Sequence, residues 1–196
     1  MPSIRNSPIG DEVLLDAARE CLLAVGWRRT TMTDVARRAG VSRMTVYRRW
    51  PDMQVLIADL MTRELIMRGN HIAVDGENVT AAFIASEVAR AAAALRENAL
   101  FRKVVEVDPE LLLPYLLVRR GRTQEAFLDN LRAAIGAGQE QGGVRPGDAG
   151  VLARTVLLTA YGFVFSAHTM TEPTGDPAQV DHLFAELRRL LTGYLS

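Results

Sequence analysis

The chain has 196 residues, of which 48% are apolar and 23% charged, and its 23 basic and 23 acidic side chains cancel. That composition is too apolar for a disordered chain, and the length fits a small domain fused to a larger one. Cys21 is the only cysteine, which excludes an intrachain disulfide, and the opening MPSIRNSPIGDEV has no apolar core of signal-peptide length, which predicts a cytoplasmic protein.

Nearly every segment repeats its apolar residues at helical rather than alternating spacing, which predicts an all-α fold of about nine helices. The first helix is expected from Asp11 to Val25, with Leu14, Ala18, Cys21, Leu22 and Val25 on its apolar face and Gly26 ending it. Cys21 therefore reads as a small core residue.

Thr31 and Asp34 have the spacing of a capping box, so a second helix is expected from Met32. Val35, Ala36 and Ala39 share one face, and Gly40 stands where a left-handed residue ends the helix. Val41 fits between two helices, and Ser42 is placed to cap a third, running to Trp50 and halted by Pro51. Two short helices joined by so tight a turn form a helix-turn-helix over 31–50.

Val46 and Trp50 are four apart and share the buried face of the third helix, leaving Arg43, Thr45, Tyr47 and Arg48 to point elsewhere. Arginine can grip guanine bidentately, a threonine methyl can meet a thymine methyl, and hydroxyls can bond phosphate oxygens. The expected DNA-contacting set is Thr31, Thr33, Ser42, Arg43, Met44, Thr45, Tyr47, Arg48 and Arg49. From Gly26 to Trp50 seven arginines stand against one acid, Asp34, an excess of six positive charges in a neutral chain.

Asp52 is placed to cap a fourth helix with Leu56, Leu60 and Met61 inward, fading near Gly69, and GNHIAVDGEN over 69–78 reads as a loop between domains. The expected division is 9–69 for DNA binding, including the start of helix four, and 70–196 for a larger helical domain. A fifth helix is expected from Val79 to Glu97 with Ile84, Val88, Ala91, Ala92 and Leu95 inward, then a short element over 100–107. A long helix follows from Glu110, or a few residues later, to about Gln141, with a kink or break at Pro114 and Gly121. Asp148 is placed to cap an eighth helix reaching Met170, and the ninth spans Ala178 to Leu195.

The uncharged run Thr155 to Thr171 falls short of the roughly 20 residues of a membrane span, so it reads as a buried helix and no membrane partner is expected. The eighth helix is apolar most of the way round, and the ninth carries an apolar stripe, so the pair packed on a symmetry mate would make a four-helix bundle. The expected dimer interface is Val156, Phe163, Leu183, Phe184, Leu187 and Leu191. Dimerisation suits a helix-turn-helix protein, because two half-sites multiply a modest affinity.

The chain resembles the TetR family of bacterial transcriptional regulators, most strongly over Gly10 to Leu60. Gly26, Thr31, Asp34-Val35-Ala36, Ala39-Gly40-Val41-Ser42, Thr45-Val46-Tyr47 and Trp50 stand in the order and spacing of that family's signature. The resemblance implies a three-helix DNA-binding domain, a variable ligand-binding domain, a homodimer through the last two helices, and a repressor that leaves double-stranded operator DNA when a small molecule binds. Beyond Leu60 only the helix count and GGVRPGD look family-like, and Met53 stands where the family usually has a phosphate-contacting lysine.

The candidate effector contacts are Phe83, Phe101, Tyr115, Phe127, Tyr161, Phe165 and His168, and the low charge of their helices favours an apolar or weakly polar molecule. No cofactor or metal is expected. The rival readings are an architectural, sequence-nonspecific DNA-binding protein and, more distantly, a helical enzyme. The first leaves roughly 120 residues of helical domain unexplained. Against the second, His71, His168 and His182 lack metal-ligand spacing, and no glycine-rich phosphate loop is present.

Overall fold

The computed structural model describes residues 10–67, 78–172 and 178–196, with the side chains of 65–67 left out. Among these residues there is no strand, and ten α-helices follow one another. They form two units: the first comprises the chain to Glu64 together with Ala99–Gly121, the second Leu65–Asn98 and Arg122–Ser196.

In the first unit, α1 (Asp11–Val25) buries Leu14, Leu15, Ala17, Ala18, Cys21 and Leu22. They meet Met32, Val35 and Ala36 of α2 (Met32–Arg38), Val46 of α3 (Arg43–Tyr47), and Leu56 and Leu60 of α4 (Met53–Met67) in one core that also holds Trp50. The Trp50 indole N–H donates to Asp59 Oδ2 at 2.8 Å, so the apolar body is buried without stranding its donor. Charge fastens α4 to α1. The nearly buried Arg63 reaches Glu12 at 3.0 Å and Asp16 at 2.9 Å, and Arg19 meets Glu64 at 3.0 Å.

The third helix ends at Tyr47 rather than Trp50, and Arg48 and Arg49 continue as a turn whose amides still bond back to Met44 and Val46. Asp52 Oδ1 then accepts the Val55 N–H at 2.9 Å, as expected of a cap. The first unit is completed by α6 (Ala99–Val107), a 3-10 turn (Pro109–Leu111) and α7 (Leu113–Leu117). The long helix expected from about residue 110 is thus three pieces. Proline has no N–H to donate, so Pro109 and Pro114 each sit in a first turn, where none is needed, and α8 (Arg122–Glu140) begins only past Gly121.

The second unit contains α5 (Ala81–Glu97), α8, α9 (Ala149–Ser166) and α10 (Ala178–Leu195). The fifth helix starts two residues later than expected, because Thr80 caps it while the Val79 amide donates to Gln141 Oε1 at 2.8 Å. Its inward stripe Ile84, Val88, Ala91 and Ala92 is buried. GGVRPGD is the hub of this unit. Gly143 O accepts the Ala81 N–H at 2.8 Å, and a Cβ on Gly143 would lie 2.5 Å from Val79 O, so only glycine fits. Arg145 N–H donates to Leu195 O at 2.8 Å, and its Nε donates to Tyr194 O at 2.6 Å, satisfying the last carbonyls of α10 with a cation.

Asp148 Oδ1 caps α9 through the Val151 N–H at 2.7 Å, and the final turn to Met170 is 3-10 rather than α. Counted from Ala149, the stretch to Met170 is 22 residues, and an 18-residue window within it has a mean hydropathy of 1.5, long and apolar enough to cross a membrane by length and composition alone, a test that the core helix of a soluble protein also passes. The shorter count from Thr155 missed this. Much of the loop expected at 69–78, with His71, and residues 173–177 of the loop before α10 lie outside the described residues.

Candidate nucleic-acid interface

Two caps set the helix-turn-helix geometry. Thr31 Oγ1 accepts the Asp34 N–H at 3.2 Å while Asp34 Oδ2 accepts the Thr31 N–H at 3.0 Å and its hydroxyl at 2.6 Å, a complete capping box. The hydroxyl bond is the main reason the Asp34 carboxyl lies below its usual range, with the Thr31 amide and Arg37 adding to it. Gly40, at φ +67°, reverses the chain, and the half-buried Val41 packs against the core while its N–H donates to Ala36 O at 3.0 Å. Ser42 Oγ accepts the Thr45 N–H at 3.3 Å and shares a hydrogen bond with the Thr45 hydroxyl at 3.0 Å.

With Val46 fully buried and Trp50 nearly so, the other face of α3 meets solvent. Thr31, Thr33, Ser42, Arg43, Met44, Tyr47 and Arg48 are exposed, Met44 by 67% and Tyr47 by 45%. Thr45 is half-buried and bonded to Ser42, and Arg49 is half-buried against Asp11 at 2.7 Å, so these two present less to solvent than the other expected contacts.

Much of the local positive charge is matched by acids, three of them from other elements and one, Asp34, from α2 itself. Arg28 pairs with Glu110, Arg38 with Glu20 at 2.8 Å, Arg49 with Asp11, and Arg37 with Asp34 at 3.2 Å. Of the seven arginines only Arg29, Arg43 and Arg48 have no carboxylate partner among the described residues, and the last two belong to the exposed face of α3 and its C-cap. Free guanidinium groups beside a methionine and a tyrosine can bond phosphate or guanine and pack on a thymine methyl. Met53 is half-buried against the core, which explains an apolar side chain where a lysine was the resemblance's expectation.

Cys21 is buried in this unit, as expected, and desolvation pushes its thiol up against the pull of Arg38. It borders a hollow of about 500 Å³ also lined by Arg29, Arg37 and Arg38.

The expected effector contacts do not form one cluster. Phe101, 5% exposed, and Tyr115, under the Arg119 guanidinium at 5.2 Å, belong to the first unit. Phe83 is exposed near the start of α5, and His168 is exposed on the 3-10 turn. Tyr161 and Phe165 do meet, edge to face at 5.9 Å, and Phe127 is half-buried on α8. Sequence reading missed Gln124, whose Nε2 donates to Tyr161 Oη at 2.6 Å; burial raises the Tyr161 hydroxyl pKa, and this bond opposes the shift.

Four residues expected at a dimer interface are instead the core of the second unit. Val156 and Leu187 are 0% exposed, Leu191 1% and Phe184 7%, while Phe163 and Leu183 are half-buried, with Phe163 edge-on to Phe184 at 6.3 Å. The apolar stripe of α10 is consumed within its own chain. The apolar side chains left outside on these two helices are Val151, Leu158 and Leu190, at 47%, 73% and 57% exposure.

Comparison with known proteins agrees with this geometry. The sequence model of the bacterial regulatory proteins of the tetR family matches residues 14–60. The chain is 35% identical to the uncharacterized HTH-type transcriptional regulator Rv2250c of Mycobacterium tuberculosis over 182 residues, 93% of this chain and 92% of that one. Two solved structures share the fold. SmeT, the repressor of the Stenotrophomonas maltophilia multidrug efflux pump SmeDEF, superposes with a TM-score of 0.65 at 21% identity, covering 95% of this chain and 90% of its own. The FadR regulator of Bacillus subtilis in complex with stearoyl-CoA has a TM-score of 0.66 at 16% identity, covering 95% and 100%. A helix-turn-helix capped at both helices, the match over 14–60 and a relative of this identity along nearly the whole chain place the protein in the TetR family of bacterial transcriptional regulators, which are not enzymes.

Proposed function

We propose that this protein is a cytoplasmic repressor released from its operator by a small apolar or weakly polar molecule. The family binds operator DNA, dimerises and binds small-molecule effectors. For this chain the observation that carries the reading is the exposed face of α3 and its cap, where Arg43, Met44, Tyr47 and Arg48 stand opposite the buried Val46 and Trp50. Residues 9–69 would supply DNA binding and most of 70–196 the effector site and dimer contact.

Two observations support an apolar effector. The Tyr161–Phe165 pair with Gln124 offers aromatic surface and a polar handle between α8 and α9. Among the structural relatives, FadR is solved with stearoyl-CoA, which carries a long apolar acyl chain on a charged carrier, and SmeT with triclosan, a weakly polar phenol. The dimer would use the outward faces of α9 and α10 around Leu158 and Leu190.

An effector shifts DNA affinity only through its unequal affinity for two conformations. The chain passes between the units within α4 and at the start and end of the 99–121 segment, and these crossings are the covalent routes for coupling. A coupling of about 1 to 3 kcal/mol lowers operator affinity roughly 5-fold to 150-fold. The test is thermal-shift screening against fatty acyl, alkyl and phenolic compounds, followed by operator titration with each hit. Hits that weaken operator binding support the reading. Hits that stabilise the protein yet leave operator affinity untouched contradict it.

A further inference from the structure

The matched DNA-binding model ends at residue 60, yet the first unit also takes in 99–121, and the join is specific. Leu100, 0% exposed, sits in the same core as Leu14, Val46 and Trp50. At the far end of α6 stands Asp108, a carboxylate only 2% exposed. Its Oδ2 accepts the Trp27 N–H at 2.8 Å, its Oδ1 lies 3.6 Å from Arg28 Nε, and that Oδ1 has no hydrogen-bond partner. Next to it, Glu110 accepts from Arg28 Nε at 2.8 Å. Burying a carboxylate with one oxygen unsatisfied costs stability, and an apolar residue would avoid that cost.

What the carboxylate holds is the turn from α1 into the helix-turn-helix. Gly26 is at φ +78°, and a Cβ there would lie 3.1 Å from Asp108 Oδ2 and 3.3 Å from Val107 Cγ1. Thr30 closes the turn, its hydroxyl donating to Gly26 O at 2.7 Å and its N–H to Trp27 O at 3.0 Å, and the next residue is Thr31, the cap of α2. The Trp27 amide, outside that internal bonding, is the point at which another element can grip the turn.

We propose that Asp108, seconded by Glu110, is a positioning residue for operator binding: it anchors the Gly26–Thr30 turn and so sets the attitude of α2 and α3 on α1. The DNA-reading module thereby extends to residue 110, outside the contiguous N-terminal segment. This rests on the reading that α3 binds operator DNA.

The test uses the full chain with Asp108→Ala, Asp108→Asn and Glu110→Gln, measuring Trp27 amide exchange by NMR, affinity for a selected operator, and affinity for a random duplex. Asp108→Ala is expected to speed Trp27 exchange and weaken operator binding about tenfold, the scale of one hydrogen bond to a charged acceptor, with random-duplex binding unchanged. Asparagine keeps an acceptor oxygen for the Trp27 N–H, so Asp108→Asn is expected to restore most of both. If Asp108→Ala does not fold, Glu110→Gln at the surface is expected to weaken operator binding about threefold, as for a partly exposed ion pair, at unchanged melting temperature. Faster Trp27 exchange with full operator affinity, or full operator affinity in Glu110→Gln, overturns the proposal. Loss of DNA preference in the unmodified protein would overturn the DNA-binding reading itself, which amide exchange distinguishes because it needs no DNA.

Discussion

Leu187 and Leu158 make opposite demands on the second unit, and substituting each in turn separates core from interface. Leu187 is 0% exposed among the side chains of its own chain, whereas Leu158 on α9 is 73% exposed. Leu187→Ala removes a fully buried isobutyl group, which costs about 2 to 5 kcal/mol through lost transfer energy and the cavity left behind. At about 2 to 4 °C per kcal/mol for a chain of this size, the melting temperature should fall by roughly 4 to 20 °C. Leu158→Asp removes little buried surface from the protomer, so its intrinsic stability should change by under about 0.5 kcal/mol. In a two-fold dimer around α9 and α10, however, it would bury two carboxylates against apolar surface. Sedimentation velocity at micromolar concentration, paired with circular dichroism melts, reads both quantities. Leu158→Asp should be a helical monomer, and Leu187→Ala a dimer that melts early. A dimeric Leu158→Asp, or a Leu187→Ala that melts within 1 °C of the parent, would refute the assignment of these faces.

Arg43→Ala should relax base preference at one operator position by about 1 to 3 kcal/mol, measured by titrating single-base operator variants, while Arg48→Ala should weaken all sequences alike if it holds a phosphate. Thr31→Ala should cost about 0.5 to 2 kcal/mol in denaturant unfolding, since the box then loses its hydroxyl. Because the folded Asp34 carboxyl is held below its ordinary value, its contribution is present above the ordinary carboxylate range and is lost as pH falls through the depressed value; acid unfolding of the parent should show this loss and Thr31→Ala should show less of it. Gly143→Ala should destabilise the second unit by forcing Val79 O away from the new methyl group, with a lowered melting temperature and faster amide exchange at Ala81.

The helix-turn-helix was legible in the sequence because its signals are local: Thr31 and Asp34, Gly40, and Ser42 each act within four residues of their partners. Helix bounds followed for the same reason at Gly26, Asp52 and Asp148. Long-range pairing was not legible. The arginines of 26–50 counted as free charge until Asp11, Glu20 and Glu110 were seen against them, the last from 82 residues away. The stripe Phe184, Leu187 and Leu191 predicted burial correctly but could not say by which surface, because an apolar period is the same whether the cover is α5 or a second protomer. The effector contacts suffered likewise: aromatics on successive helices marked apolar interiors, and only Tyr161 and Phe165, on one helix at a spacing of four, met as spacing alone would have them.

The central claim is that α3 reads a specific duplex. Selection of binding sites from random double-stranded DNA, followed by footprinting of the recovered sequence at physiological salt, tests it most directly. The account predicts enrichment of a two-fold-related sequence and discrete protection of two half-sites one helical turn, or a multiple of it, apart, with Arg43→Ala weakening that protection and relaxing the base preference at one position of each half-site. Unselective coating of every duplex, abolished uniformly by salt, would contradict it.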